Sequence, residues 1–371
     1  MSDSNSFSRR TFLQTGSAAA ALATSAGGYF TSGAAAQENR KLGVALVGLG
    51  SLSTNQIAPA LQKTQHCKLT AIVTGTPAKA DKWSQQYGID KKHIYNYESF
   101  DKIADDEAVD VIYIVLPNGM HAEYTIRAAQ AGKHVFCEKP MANSSAECRQ
   151  MIAACEKADK HLGIAYRCQF EPHHQQCIEF ARTKRFGELM YINAGFGFKI
   201  GDPTQWRLDG DLAGGGALMD VGVYALQACR YLTGEEPVEV IARETKTDPK
   251  KFAEVDETIA WTMKFPSGVL ANCGTSYNFN GVNHFHAYCS NGQFSLDPAY
   301  SYDGIKGTSS AGPIEKPEID QFAAELDAFA KVVTAGEPNR VPGQEGLRDL
   351  LVVEAIYKAA REAKPVMPGK V

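Results

Sequence analysis

Leu42-Gly43-Val44-Ala45-Leu46-Val47-Gly48-Leu49-Gly50-Ser51-Leu52-Ser53 is a short apolar run that breaks into a glycine-spaced turn. Six residues are too few for an ordinary helix, and the glycines end the run sharply, so it reads as a buried strand turning into a helix. The same alternation continues outward. Apolar runs at 69–73, 111–115 and 134–137 are separated by helix-period segments at 57–61, 78–87 and 122–131. Ser144, with Glu147 three residues on, forms a capping box that opens a further helix toward Lys157. Strand and helix in alternation build a parallel sheet covered on both faces.

Beyond about residue 163 the texture changes. Strand-like segments at 189–198, 238–245, 258–265, 269–277, 284–290 and 293–296 dominate, with Pro266-Ser267-Gly268 and Asn291-Gly292 as hairpin signals between them. Helical periods return at 217–232, 320–333 and 344–363. The predicted fold class is α/β: a Rossmann dinucleotide-binding domain at 37–162, then an α+β domain at 163–371. Its large, mostly antiparallel open sheet has one face covered by helices and the other free for a second subunit.

The first 36 residues differ from both domains. Ser8-Arg9-Arg10-Thr11-Phe12-Leu13 places an arginine pair ahead of a weakly apolar stretch at 18–23 and a small-residue site, Ala34-Ala35-Ala36, before Gln37. That is the layout of a cleaved twin-arginine signal peptide, whose route carries folded cargo. The expectation is export by the twin-arginine machinery and a periplasmic mature protein of about 335 residues, long enough for two domains. No later apolar run reaches the roughly 18 residues of a membrane span. A formal net charge of −4 gives no electrostatic footprint for nucleic acid or an anionic membrane. Nine cysteines, an odd count with no Cys-x-x-Cys pair, argue against a disulfide framework and suit folding in a reducing compartment before export.

The glycine turn is the candidate cofactor site. Gly48 allows the tight turn, Gly50 lets backbone amides of Ser51 and Leu52 approach a pyrophosphate at the helix N-terminus, and Ser53 stands where a third glycine would pack helix on strand more closely. At the end of the second strand an NAD enzyme usually places a carboxylate for the ribose hydroxyls. Here the strand ends Val73-Thr74-Gly75-Thr76 with Lys79 following, a hydroxyl and a point charge that suit the 2′-phosphate of NADP.

Cys137-Glu138-Lys139-Pro140 closes a strand at the carboxyl edge of the sheet, where ligands of such folds bind. Gly214-Gly215-Gly216 feeds the helix at 217–232, on which Asp220 and Tyr224 are four apart and share a face. Read alone, these polar residues fit a solvated helix face as well as a site. Cys168, His173, His174 and Cys177 cluster without any zinc spacing, and His284 and His286 fit either a half-exposed sheet face or a sugar pocket.

Together with Leu116-Pro117-Asn118 and His121, Ala131-Gly132-Lys133-His134, Tyr166-Arg167-Cys168 and Gln205-Trp206-Arg207, these segments resemble the glucose-fructose oxidoreductase family of exported sugar oxidoreductases, in the wider Gfo/Idh/MocA class. The resemblance runs across nearly all of the mature chain; its specific parts are Lys139-Pro140 and the run from Gly214 to Tyr224. It implies that Lys139, Asp220 and Tyr224 converge on a sugar and a nicotinamide, and that the Lys139-Pro140 peptide is cis. It also implies that Trp206 and Arg207 help enclose a tightly bound NADP, with Leu116, Asn118, His121, Glu138 and Arg167 as further cofactor contacts.

The implied reaction oxidises an aldose at C1 and reduces a second, fructose-like sugar in a ping-pong cycle. Tyrosine titrates near 10 in water, so as a base it needs cationic neighbours such as Lys139. Relatives carry a proline-rich arm between leader and first strand, whereas here only residues 37–41 separate them, leaving a homodimer through the open sheet, or a homotetramer, as the expected assembly. An aldose dehydrogenase with exchangeable cofactor and a nicotinamide-dependent glycosidase are the competing readings.

Overall fold

The computed structural model describes residues 40–371, so the arginine pair, the leader and its cleavage site lie outside the described residues. The first sheet comprises β1 (Leu42–Val47), β2 (Cys67–Val73), β3 (Ile94–Tyr95), β4 (Val111–Ile114), β5 (His134–Cys137) and β6 (Leu162–Ile164). All pairings are parallel and the order is β3-β2-β1-β4-β5-β6. Every residue of β1 is buried, as a central strand covered on both faces requires. Strand order reverses beside β1, which opens a crevice above the carboxyl ends of β1 and β4. Helix Ser145–Lys157 carries the expected capping box, with the Ser144 hydroxyl and the Glu147 side chain each bonding the other's backbone N–H.

The second sheet has eight strands: β7 (Leu189–Lys199), β8 (Glu239–Thr245), β9 (Thr258–Lys264), β10 (Leu270–Ser276), β11 (Asn278–Cys289), β12 (Gly292–Leu296), β13 (Gly307–Ser309) and β14 (Gly312–Ile314). Their order is β14-β13-β12-β11-β7-β10-β9-β8, antiparallel except for β10 beside β7. Both hairpin signals join antiparallel neighbours, β9 to β10 and β11 to β12. Helix Val223–Thr233 packs on β7, β10 and β11, while Met190, Ile241, Leu270 and Tyr288 stay exposed on this sheet. All nine cysteines are free, and all but Cys289 are buried.

Three differences from the predicted elements have local causes. β3, β6, β13 and β14 have only two or three residues each, too few to show a period. β11 begins at Asn278 instead of 284 because a register shift between Asn278 and Val282, with Gly281 at φ +80°, interrupts the alternation. The helix expected at 217–232 opens as a π-helical turn, Leu218–Gly222, before continuing as α-helix. Among the described residues no helix is long and apolar enough to cross a membrane.

Candidate active site

At the end of β1 the chain turns on Gly48, whose φ of +90° favours glycine; a Cβ there would meet the Val115 carbonyl oxygen at 2.3 Å. A Cβ on Gly50 would meet nothing within 4 Å, so the backbone is open to an approaching ligand. Ser53 does more than replace a third glycine. Its buried hydroxyl donates to the Gly48 carbonyl at 2.5 Å and ties the helix to the turn. Above this turn lies a cleft of about 1120 Å³.

Every proposed cofactor residue except His121 lines that cleft. Thr74 sits at the carboxyl end of β2, its hydroxyl accepting from the Thr76 N–H at 3.2 Å, and Lys79 donates to the Leu49 carbonyl at 3.1 Å. Among the described residues lining the cleft, the carboxylates are Glu138, Asp220 and Asp303, none of them from β2 or the helix that follows it. The exposed glycine backbone and the hydroxyl and ammonium at the end of β2 fit a dinucleotide bearing a 2′-phosphate. On the opposite side, the Arg207 guanidinium lies over the Trp206 ring at 4.6 Å.

His121 is corrected by the structure. It is fully buried, with Nδ1 at 2.9 Å from the Pro140 carbonyl oxygen and Nε2 at 2.9 Å from that of Leu116. Burial opposes its charged form and lowers its pKa, so a neutral ring sits beneath the cleft and its single N–H bonds one of the two carbonyl oxygens.

Lys139, Asp220 and Tyr224 meet in the cleft, and the Lys139-Pro140 peptide is cis. Lys139 Nζ donates to the Asp220 backbone carbonyl at 2.7 Å and lies 3.6 Å from Asp220 Oδ1. Arg207 Nε donates to Asp220 Oδ2 at 2.9 Å, and the Tyr277 hydroxyl donates to the same oxygen at 3.2 Å. Burial would raise the Asp220 pKa, but the charges of Arg207 and Lys139 outweigh it and hold the group as a carboxylate.

The tyrosine's cationic neighbours are arranged otherwise than expected. Lys139 lies over the Tyr224 ring face, 4.9 Å from its centroid, while the cation at the hydroxyl is Arg167, whose Nε donates to it at 3.3 Å. Arg167 is 3% exposed and is pinned by Gln321 Oε1 at 2.6 Å and by the Ser301 and Tyr300 carbonyls. Burial raises the Tyr224 pKa, and Arg167 only partly offsets it, so the resting side chain is a phenol. Beneath them the Tyr113 hydroxyl donates to Glu138 at 2.9 Å, and burial raises the Glu138 pKa.

Several residues of this site carry no sequence signal. Tyr277 lies between β10 and β11 with nothing in its spacing to single it out. Phe196, Asn283 and Tyr302 enter the cleft from strands and loops remote from the motifs. His284 lies against His286 with the rings tilted at 53° and meets Asn193 Oδ1 at 3.1 Å, and neither histidine lines the cleft.

Comparison with known proteins covers both sheets. Residues 42–166 match the family model described as an oxidoreductase family with an NAD-binding Rossmann fold, and residues 174–295 match the GFO/IDH/MocA C-terminal domain. A D-xylose 1-dehydrogenase [NADP(+)] of Haloarcula marismortui is 31% identical over 87% of this chain and 92% of its own. A crystal structure of an aldose-aldose oxidoreductase from Caulobacter crescentus, complexed with glycerol, is 46% identical with a TM-score of 0.86, covering 88% of this chain and 100% of that one. A 3-ketoreductase from Actinomadura kijaniata, in complex with NADP and TDP-benzene, shares the fold at 23% identity with a TM-score of 0.77, over 86% and 98% of the two chains.

Proposed function

The chain belongs to the Gfo/Idh/MocA family of nicotinamide-dependent oxidoreductases, and from that premise we propose that it is an exported, NADP-dependent sugar oxidoreductase with a closed redox cycle. It oxidises an aldose at C1 to the lactone and reduces a second sugar on a tightly held cofactor. The observation that carries this reading is the placement of the Tyr224 hydroxyl, with Arg167 at its oxygen and the Lys139–Asp220 pair beside it, in the same cleft as the glycine turn.

NADP, bound there, supplies the acceptor for the sugar hydride and later its donor. The residues do the rest. Asp220, fixed as a carboxylate by Arg207 and Tyr277, orients sugar hydroxyls and positions Lys139 toward the substrate. In the phenolate form, reached by loss of its proton to solvent and stabilised by Arg167 at its oxygen, Tyr224 takes the proton of the aldose hydroxyl as hydride leaves C1. In the second half-reaction Tyr224 returns a proton to the oxygen of the acceptor sugar. Thr74 and Lys79 select the 2′-phosphate, in line with an NADP-dependent relative.

A 46% identical protein described as an aldose-aldose oxidoreductase favours a second aldose over a ketose as acceptor. Export rests on Arg9-Arg10 and the leader behind them, and it motivates retention, since a nucleotide lost outside the cytosol is not replaced. The xylose dehydrogenase relatives support the plain dehydrogenase with exchangeable cofactor as the second reading.

One experiment separates the two. The mature protein, purified from the periplasmic fraction, is treated with one aldose and then another while absorbance of reduced nicotinamide is followed. Rise and fall without added nucleotide is the expected result. Protein that comes free of nucleotide and turns over only with added NADP refutes the closed cycle, and protein found only in the cytosol refutes export.

A further inference from the structure

Between β7 and the helical turn that carries Asp220 the chain runs through residues 200–213, which hold Trp206 and Arg207 against the cleft. This segment has an apolar cluster of its own: Ile200, Leu208 and Ala213 pack with Phe252, Val255 and Tyr277, apart from the main core. Its root lies on the side of the second sheet. The Ile200 N–H donates to the Tyr277 carbonyl at 2.9 Å, and Lys251 Nζ donates to the Ile200 carbonyl at 2.7 Å. Its far end is a four-residue helix, Gly210–Ala213, whose first N–H groups are taken by the Asp209 and Glu254 carboxylates.

A helix of one turn leaves its last carbonyls without partners inside it. Here the parallel-sheet side supplies them. Asn118 Nδ2, from the turn after β4, donates to the Ala213 carbonyl at 2.8 Å, and Asn143 Nδ2, from the segment after β5, donates to the Asp211 carbonyl at 2.7 Å. Only the nitrogen of an amide can face a carbonyl oxygen, so these bonds fix the orientation of both side chains. The Asn143 backbone is itself held, its N–H donating to Glu147 of the capping box at 2.9 Å. Two glycines admit the close seating. A Cβ on Gly119 would meet the Asp211 carbonyl oxygen at 2.4 Å, and one on Gly214, at φ +68°, would meet Asn143 Oδ1 at 2.2 Å.

The segment is thus attached to the second sheet at one end and to the parallel sheet at the other, with Trp206 and Arg207 between the two attachments. We propose that residues 200–213 form a strap over the nicotinamide nucleotide, and that Asn143, a positioning residue outside the cleft lining, latches the strap and sets how slowly the nucleotide leaves. The proposal rests on the reading that the cleft holds NADP tightly. Trp206 and Arg207 face the glycine turn from the opposite side of the cleft, so lifting the strap uncovers a ligand held between them. Asn118 lines the cleft and Asn143 does not, so a change at Asn143 reaches a bound nucleotide through the strap.

The test uses the full mature protein loaded with NADPH. Energy transfer from tryptophan to the reduced ring reports bound nucleotide. Mixing with excess NADP gives the release rate, and adding NADPH to emptied protein gives the association rate. Asn143→Ala deletes the latch, and Asn143→Asp sets a carboxylate against the Asp211 carbonyl. Gly119→Ala keeps both amides and pushes the short helix away by bulk. Release should accelerate about fivefold in Asn143→Ala, the scale of one hydrogen bond, and further in Asn143→Asp, with association not slowed in either. Gly119→Ala should follow Asn143→Ala.

An asparagine that merely steadied the fold would lower Tm, or slow association through a damaged cleft, and leave release unchanged. That result overturns the proposal, as does faster release in Gly119→Ala alone. If the Asn143 variants do not fold, Gly119→Ala decides, because unchanged release there sinks the strap. Wild-type protein isolated without nucleotide counts against the closed redox cycle, whereas release of added NADPH at one rate in wild type and variants alike counts against the strap alone.

Discussion

The two walls of the cleft are made of different material. The wall from the parallel sheet is largely backbone: the turn through Gly48 and Gly50, the end of β2 at Thr74, and the segment from Leu116 to Asn118. The wall from the second domain is a network of side chains, in which Asp220, Arg207, Tyr277, Tyr224 and Arg167 hold one another from four separate stretches of chain. A backbone wall recognises what is common to nucleotides, and its demands fall on φ and on empty space. A side-chain wall sets charge and proton affinity at one point, and its demands fall on distances that only the folded chain defines.

The sharpest break of the side-chain wall is Tyr224→Phe. It keeps the ring under Lys139 and Arg167 and removes the exchangeable proton. Turnover should fall by about 10³-fold, the scale of a lost general acid–base group, while nucleotide binding stays within about twofold. Single-turnover rates and a nucleotide titration on the same sample check both halves. Equal loss in both would mean that the two walls are not separable.

The backbone wall breaks at Gly48→Ala. The new Cβ would stand 2.3 Å from a main-chain carbonyl oxygen at a φ that L side chains rarely adopt, so strand and turn must move apart. A cost of about 3 kcal/mol is expected, read as a lower Tm and as lost nucleotide affinity in whatever fraction still folds. Gly50→Ala is the internal contrast, because its Cβ meets no protein atom and should harm binding with little effect on Tm.

This division also explains what the sequence could say. The glycine spacing, the strand that feeds it and the capping box at Ser144 are local rules, and local rules survive in a linear string. The nearness of Asp220 and Tyr224 was legible because one helix carries both. That Arg167, and not Lys139, would meet the Tyr224 hydroxyl was not, since it depends on the turn after β6 docking on the helix Val223–Thr233, whose Tyr224 stands 57 residues further along the chain. His121 misled for the same reason: a histidine next to Leu116-Pro117-Asn118 in sequence points under the cleft, where its ring nitrogens face two carbonyl oxygens.

Lys79 tests the point charge that follows β2 on the cofactor-binding wall. Its ammonium donates to the Leu49 carbonyl, so Lys79→Ala removes a point charge and a brace from the turn together. Affinity for NADP should drop about 10-fold, with affinity for NAD changed by less than about threefold. Equal losses for the two nucleotides would assign the lysine to bracing the loop and would leave 2′-phosphate recognition to Thr74 and Thr76.

Tyr277→Phe carries the smallest expected effect and sharpens the comparison most. Tyr277 does not line the cleft; its hydroxyl reaches the site only through Asp220 Oδ2, which Arg207 also holds. A carboxylate that keeps a guanidinium and an ammonium when it loses one neutral donor should stay ionised and nearly in place. A single such hydrogen bond contributes about 1 kcal/mol, which corresponds to about a fivefold fall in kcat/KM for the sugar. Arg207→Lys removes a charge-assisted bond from the same oxygen and should cost more, since lysine cannot reproduce the planar donor set. The double variant should lose more than the product of the singles if the side-chain wall acts as a connected network. Simple multiplication would show its members to be independent props, and the contrast between the two walls would then be one of composition alone.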